Sequence, residues 1–332
     1  SLLSLFLISG CRVSGDISIS ISQPKQSDSA SSPESNDDMK TSSSSREKES
    51  VSDNTDSSKK ESVSDNTGAS SIVDKFAEDE KYQYHLLSDG TLSISVGKNK
   101  NLESLTIPKT YHGKLVTQIA ERGFEKCFNL KEVVIPDSIN KISDKAFYSC
   151  TSVKKFNIPS SVSEIGDYAF GRCHSLESMV FPEGVTSIGQ YIFDESDSLN
   201  FIVIPNSVTS IAEFAFECFS SMIVFCKAES EKEGWKKNWD KYKKESNEYS
   251  YSIVWGCDEA DFYQDYVYCV HIKNSEKHVT LYKYMGNESD IVVPNTIKGM
   301  KVTGIGKNAF FANYSLESVV IPEGVTFLGE QA

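Results

Sequence analysis

The chain has 332 residues, 39% of them hydrophobic, and a formal net charge of -13 at pH 7. An acidic chain of this kind is a poor ligand for nucleic acid or for an anionic membrane surface unless it carries a local basic patch. No apolar run reaches the ~20 residues that a helix needs to span a bilayer, and the length allows up to two domains.

The chain begins inside an apolar stretch, SLLSLFLISGC, which has the character of the hydrophobic region of a signal peptide. Its last four residues, ISGC at positions 8–11, resemble a bacterial lipobox, where the peptide is cut before a cysteine whose thiol receives a diacylglycerol. We therefore interpret residues 1–11 as the end of a lipoprotein signal peptide, with lipidation at Cys11. The alternative is an apolar segment that ends in a cysteine by chance.

Residues 12–75 are rich in Ser, with Asp, Glu, Lys and Asn, and large apolar residues are rare after Ile21. Such a segment cannot bury enough apolar surface to offset its conformational entropy, which predicts a disordered tether. A flexible coil of about 60 residues has a root-mean-square length of ~40–45 Å. That length suits a tether that holds a domain away from a membrane.

From Pro136 to Phe225 a sequence pattern returns every 23 residues, with matching residues in each copy, as in IPSSVSEIGDYAF and FPEGVTSIGQYIF. Its regular prolines are Pro136, Pro159, Pro182 and Pro205. A fixed period of this length predicts a solenoid, in which each unit buries its apolar face only against the next unit. We assign the first array to residues 76–226, opening with a predicted hairpin at Tyr82–Val96.

Within each unit, alternating apolar residues predict a short strand that ends at the proline and directs every second side chain inward. The period also stacks like residues on each other. The predicted aromatic ladder consists of Phe147, Phe170, Phe193 and Phe216. Gly166 and Gly189 are expected at a turn whose backbone conformation other residues resist.

The spacing of the eight cysteines argues against a disulfide framework. Cys127, Cys150 and Cys173 are 23 residues apart, which predicts one buried, reduced ladder because equivalent side chains point in parallel. A disulfide is the alternative for this set. Four others, which show no CxxC spacing and therefore predict no structural zinc site, are Cys218, Cys226, Cys257 and Cys269.

Residues 227–257 break the period and are predicted to cap the open end of the first array. Trp235, Trp239 and Tyr242 fall at i, i+4 and i+7, the spacing of one stripe on a short helix. The alternative is a basic, aromatic patch for nucleic acid or a membrane. We favour the cap because a solenoid needs a terminal unit with a polar outer face.

The organisation restarts in residues 258–332. Val267–Tyr284 is predicted to be a second hairpin, and Pro294 and Pro322 are 28 residues apart, the same step as Pro108 to Pro136. This second array stops in mid-repeat, and we expect it to be the less stable half. Its removal is expected to leave the first array folded and more soluble.

The repeat consensus, S-L-x-x-V-x-I-P-x-x-V-x-x-I-G-x-x-A-F-x-x-C, resembles that of bacterial surface leucine-rich-repeat proteins of the BspA type, over roughly residues 100–226 and 288–332. The resemblance implies a right-handed solenoid with a parallel sheet on its concave side, a β-rich α/β fold. It also implies an extracytoplasmic binding or adhesion role. Ser196, Phe219 and Asn313 depart from the pattern by replacing its Cys.

No catalytic motif is present in the sequence. The five histidines lie in hairpins, turns and variable repeat positions, and none stands at nucleophile or metal-ligand spacing from a Cys or a carboxylate. There is no GxSxG, P-loop, HExxH or EF-hand loop. We therefore predict a protein that is not an enzyme, with no metal, no cofactor and no nucleic-acid partner.

Side chains two and four residues before each proline should face outward from the strands. The predicted ligand-binding residues are Glu132, Val134, Lys155, Asn157, Ser178, Val180, Phe201 and Val203. Their apolar members would form an exposed strip, a feature that often marks a partner surface. The alternative is that β-branched residues simply suit strands.

The predicted function is a lipid-anchored binding or adhesion protein of the bacterial cell surface, whose repeat face binds a protein or a glycan. The membrane would be contacted through the lipid anchor alone. The alternative is a structural spacer or assembly module that displays a further C-terminal domain, possibly an enzyme, beyond Ala332.

Overall fold

The computed structural model describes residues 13–14, 16–20, 81–217, 222–244, 247–250 and 252–332. The expected signal peptide with Cys11 lies outside them, as does the expected tether apart from two short strands. No helix occurs in these ranges, so none of them supplies a helix long and apolar enough to cross a membrane. The fold is a solenoid of about ten turns with parallel strands, which confirms the β-rich solenoid.

The strands fall into two groups along the chain. Up to the end of the first array they are β1 (Val13–Ser14), β2 (Asp16–Ser20), β3 (Tyr82–Leu86), β4 (Leu92–Val96), β5 (Ser104–Thr106), β6 (Thr110–Tyr111), β7 (Lys114–Ile119), β8 (Glu132–Val134), β9 (Lys141–Ile142), β10 (Glu164–Ile165), β11 (Ser178–Val180), β12 (Ser187–Ile188), β13 (Phe201–Ile204), β14 (Ser210–Ile211) and β15 (Ile223–Cys226). They continue as β16 (Lys241–Lys244), β17 (Asn247–Ser250), β18 (Ser252–Val254), β19 (Glu259–Tyr263), β20 (Tyr266–Lys273), β21 (Glu276–Tyr284), β22 (Asp290–Val292), β23 (Thr296–Ile297), β24 (Met300–Ile305), β25 (Ser318–Ile321) and β26 (Phe327–Leu328).

Each coil of the first array contributes to two parallel ladders. One ladder runs through β4, β7, β9, β10, β12 and β14 and is entered by the antiparallel hairpin of β3 and β4. The other forms what we call the front face, which consists of β5, β8, residues 155–157, β11, β13 and β15. On the front face β5 pairs with β8, a bridge joins Val134 to Asn157, and β11, β13 and β15 pair in parallel, with β18 extending the sheet beyond β15.

The second array repeats this arrangement. The hairpin predicted at Val267–Tyr284 is present as β20 and β21, and β21 continues in parallel to β24 and β26. β22 and β25 pair in parallel at the position that the front face has in the first array, and β2 pairs antiparallel with β25.

The core is built from stacked copies of the same side chain, as the period predicts. Successive rings of the aromatic ladder are separated by centroid distances of 5.6, 5.9, 6.1, 6.2 and 5.9 Å, through Phe124, Phe147, Phe170, Phe193, Phe216 and Trp239. All six are buried. Dispersion contacts and apolar burial along this ladder hold each coil to its neighbours.

The cysteine ladder is buried and reduced, which confirms the prediction for Cys127, Cys150 and Cys173. Burial raises the pKa of Cys127 to about 11 and that of Cys173 to about 12. The Cys150 thiol donates to the Phe124 carbonyl at 3.3 Å, one coil earlier. Ser196, the next member, keeps the same bond, because its hydroxyl donates to the carbonyl one coil earlier at 3.0 Å.

Gly166 and Gly189 do not have positive φ angles, so the predicted glycine turn is wrong. Glycine is needed there because adjacent coils approach closely. A Cβ on Gly166 would lie 2.2 Å from Asp144 Oδ1 and 2.6 Å from the Asp144 nitrogen, and one on Gly189 would lie 2.5 Å from Asp167 Oδ1. The same carboxylates accept backbone N–H groups of the following coil, Asp144 from Asp167 at 3.0 Å and Asp167 from Gln190 at 2.7 Å.

The left-handed turns fall instead on non-glycine residues, at two positions of the repeat. At the first of these positions the φ angles are 55°, 56°, 52° and 53° at Lys145, Tyr168, Tyr191 and Phe214. A left-handed conformation costs such residues about 1–2 kcal/mol each. Contacts between coils offset this cost, since the Tyr168 and Tyr191 rings stack at 5.2 Å and the Tyr168 N–H donates to Gln190 O at 2.9 Å.

The described residues of the 227–257 segment cover the end of the ladder and form no helix, so the helix predicted there is wrong. Trp235 bridges in parallel to Ile211, and Trp239 lies 23 positions after Phe216, which is one repeat step. Both tryptophans belong to the main buried core. The segment is therefore another, irregular coil, and the solenoid spacing overrides the helical spacing of its aromatics.

Strands β19, β20 and β21 lie over the last strands of the front face, and we call them the hairpin cover. The Phe201 ring is 5.0 Å from the Phe262 ring of the cover, and the Phe225 ring is 5.4 Å from that of Tyr282. These contacts form a second buried cluster on the outer side of the front face. The two arrays therefore share an apolar interface.

A disulfide joins Cys257 to Cys269 inside this interface. Their Cα atoms are 5.9 Å apart, within the usual range for a disulfide. This bond could not be predicted from the repeat pattern, because the two cysteines are 12 residues apart and lie outside the repeat period. The bond ties β20 to the segment that follows β18.

Gly166→Ala should lower the free energy of unfolding by about 1–3 kcal/mol, because the new methyl group would meet backbone atoms of the preceding coil. Gly324→Ala is the matched control, since its Cβ would meet only an ordinary contact of 3.6 Å with Val302 O. Urea unfolding followed by circular dichroism measures both. Equal stability of the two variants would contradict the close-approach explanation.

Deletion of residues 258–332 should expose Phe201, Val203 and Phe225, which are 1%, 1% and 0% exposed in the whole chain. Because of this interface, we expect the first array alone to be less soluble than the whole chain, and not more soluble as the sequence suggested. The shortened chain should bind a hydrophobic dye and self-associate in light scattering, because an apolar patch becomes exposed. Phe201→Ser with Phe225→Ser in the shortened chain should reverse this. A dye-negative, monomeric deletion variant would contradict the interface.

Candidate functional site

The front face is open to solvent over its first coils. Five of the predicted binding residues are exposed there: Glu132, Val134, Lys155, Asn157 and Val180. Val134 and Val180 are 57% and 42% exposed although they are apolar, while the inward neighbours Val133 and Met179 are buried. The outward direction predicted for these five side chains is therefore confirmed.

The other three predicted residues are not accessible, so the exposed strip is wrong at Phe201 and Val203, and Ser178 is 6% exposed. Phe201 and Val203 do face away from the main core, but the hairpin cover buries them. The sequence contains an indication that these outward side chains are buried. Strands β13 and β15 read FIVI and IVFC, and continuous apolar strands are typical of sheets that are buried on both faces.

A groove of about 530 Å³ lies where the open part of the front face meets the hairpin cover. Four of the predicted binding residues line it, namely the exposed Lys155, Asn157 and Val180 and the buried Val203. The opposite wall includes Asp258, Glu259, Asp261, Tyr268, Lys298 and Met300. Neither the cover nor this groove could be placed from the repeat pattern alone, because both depend on contacts between the two arrays.

The opposite wall of the groove carries side chains of both charges, which pair with each other. Lys298 Nζ is 2.7 Å from Asp261 Oδ2 and lies 5.6 Å from the centre of the Tyr268 ring. The hydrogen bond to Asp261 raises the pKa of Lys298. Burial alone would raise the pKa of Asp261, but hydrogen bonding and the charges of Lys298 and Lys155 lower it.

The groove has the chemistry of a binding surface. Its apolar floor offers a packing surface, and its charged and amide groups offer hydrogen-bond donors and acceptors to a polypeptide or a sugar chain. Within the described ranges, no group of three or more His, Cys, Asp or Glu side chains is arranged to hold a metal ion. His271, in the cover, donates from Nδ1 to the Gly256 carbonyl at 3.0 Å, which is a structural contact.

Several solved structures are similar to the chain. A leucine-rich cell surface protein from Faecalibacterium prausnitzii A2-165 is 24% identical, with a TM-score of 0.38, and the match covers 76% of this chain and 71% of that one. A leucine-rich-repeat protein of T. pallidum is 23% identical, with a TM-score of 0.36 and coverage of 44% and 83%. One from Bacteroides ovatus is 18% identical, with a TM-score of 0.34 and coverage of 77% and 79%. No curated protein matches the chain.

The family comparison covers more than half of the chain. A model described as BspA type leucine rich repeat region matches in six copies, over residues 93–223 and 268–332. These ranges include the repeats of both arrays and most of the hairpin that opens the second. The chain therefore belongs to the BspA-type leucine-rich-repeat family.

Proposed function

We propose that this chain is a bacterial cell-surface binding or adhesion protein, and that the open front face with its adjoining groove binds a protein or glycan partner. The proposal rests on the difference in side-chain exposure along the front face. The cover buries the apolar side chains of β13 and β15, whereas Val134 and Val180 remain exposed in a row of polar neighbours. Exposed apolar side chains rimmed by polar ones are typical of partner surfaces.

A role in binding fits the chemistry of this surface better than catalysis does. The groove contains lysines, carboxylates and an amide. Its charged side chains pair with each other, as Lys298 pairs with Asp261. The buried thiols have raised pKa values, which suppresses the thiolate that a cysteine nucleophile requires. The family and the similar structures are repeat proteins, which supports the same reading.

Location at the cell surface is part of the proposal. The Faecalibacterium prausnitzii relative is described as a cell surface protein. The ISGC sequence at positions 8–11 supports processing as a lipoprotein, with a diacylglycerol on Cys11. A lipid at that position would place the repeats outside the cytoplasm, where proteins and glycans of other cells are available as partners.

Val134→Glu combined with Val180→Glu should reduce capture of the partner at least tenfold, because it places charge on the apolar row. Val292→Glu is the matched control, since Val292 is a 70% exposed strand residue of the second array. Binding of surface-protein extracts and of a glycan array to each variant is measured at equal protein concentration. Retained binding by the double variant, or equal loss in the control, would refute the front-face assignment.

Cys11→Ser should abolish lipid attachment when the chain is expressed behind its native N-terminal region, because the thiol is the group that is alkylated. Metabolic labelling with a radioactive fatty acid, followed by membrane fractionation, measures the effect. Cys127→Ser serves as the control, since that thiol is buried in the repeat core. Equal label on the Cys11 variant and the parent would rule out lipidation at this position.

A further inference from the structure

A second cavity, of about 650 Å³, lies between the front face and the hairpin cover and shares no lining residue with the groove. Its wall on the side of the first array includes Glu177, Asp197 and Asn200, and the cover contributes Phe262, Gln264 and Lys283. The cavity is large enough for one sugar residue or a short peptide end rather than for a bare ion. It is therefore a second candidate for ligand binding.

Lys283 is the unusual group in this cavity. Its ammonium donates one hydrogen bond, to Asn200 Oδ1 at 3.0 Å, and an ammonium has three donors. No ion pair of Lys283 is found in the part of the chain that the structure describes. Burial lowers its pKa, and no neighbouring carboxylate opposes that effect. A half-buried cation with a neutral partner favours a ligand that brings a negative charge.

The other polar groups call for a ligand rich in hydroxyls. Asp197 and Glu177 present carboxylate oxygens, which only accept hydrogen bonds, and one Glu177 oxygen is already paired with Lys154 at 2.8 Å. Gln264 adds an amide at an exposed turn. A saccharide brings several O–H donors to such acceptors, whereas the carboxyl end of a peptide brings a single N–H beside its carboxylate.

The apolar groups of the cavity complete a site for a ring. Phe262 and Met285 line it, and both are partly buried against the second apolar cluster. The position of the Phe262 ring is fixed by its contact with Phe201, at a centroid distance of 5.0 Å. An aromatic ring in this setting can pack against the C–H face of a sugar while polar groups bond its hydroxyls.

We propose that this cavity binds an acidic sugar residue of a glycan, with the sugar carboxylate on Lys283, its hydroxyls on Asp197, Asn200 and Gln264, and its ring on Phe262. The site goes beyond the proposed binding by the front face, because it uses different residues. A glycan held here and a partner held on the front face would be independent contacts of one protein.

The test uses the full chain and immobilised oligosaccharides that end in a uronic acid or a nonulosonic acid, each paired with its carboxyl-reduced counterpart. The intact chain should bind at least one carboxylated sugar at least tenfold more tightly than its reduced form. Lys283→Met should lose at least tenfold, since it keeps the stem and removes the charge. Lys301→Met, at an exposed lysine of β24, should bind as the parent does.

Three further measurements keep the outcome decisive. Gln264→Ala, at an exposed turn, should weaken binding even if Lys283→Met does not fold, and the bound sugar should protect Lys283 from acetylation in the parent chain. The Val134→Glu and Val180→Glu double variant should retain the sugar, which separates this site from the front face. The proposal is overturned if reduced sugars bind equally, if no sugar binds, or if Lys283 stays unprotected.

Discussion

Hydrogen bonds between the backbones of successive coils are the interaction on which the rest of this structure depends. Strands of two or three residues hold few bonds each, so every coil relies on its neighbours for partners. The Phe124 N–H donates to Ala146 O at 2.7 Å, and the Phe147 N–H donates to Ala169 O at 2.8 Å, one coil later. Because the bonds repeat at one spacing, each coil must adopt the conformation of the last, including its left-handed turns and its close approach at Gly166.

This copying explains why the two faces of the strands can serve different purposes. The inward positions are committed to ladders of Phe and Cys, and even Ser196 keeps the hydrogen bond of the residue that it replaces. The outward positions carry no such constraint and vary from Glu132 to Val180. The hairpin cover uses the outward side of the last strands, and the earlier strands stay open. The same geometry thus supplies both an interface between the arrays and a surface for a partner.

The ladders and the outward direction of the front-face side chains follow from the period, since both depend on contacts between neighbouring repeats. Features that depend on contacts other than those between neighbouring repeats could not be predicted from the period. Trp235 and Trp239 have helical spacing, but the parallel pairing of Trp235 with Ile211 determines their conformation. The disulfide of Cys257, the burial of Phe201 and the cavity at Lys283 depend on how the second array packs on the first. The repeat period contains no information about that packing, and only the continuous apolar strands β13 and β15 indicated that their outer side is covered.

Hydroxyl-radical footprinting of the intact chain measures whether the hairpin cover buries the outer side of the front face, because it compares the oxidation rates of phenylalanines in different surroundings. Phe128 and Phe311 are 51% and 71% exposed and set the fast rate, and the ladder residue Phe147 sets the slow one. The account predicts that Phe201 and Phe225, which point outward from the coils, are oxidised as slowly as Phe147. Rates for Phe201 and Phe225 close to that of Phe128 would show that the outer side of the front face is not covered, and would contradict the account.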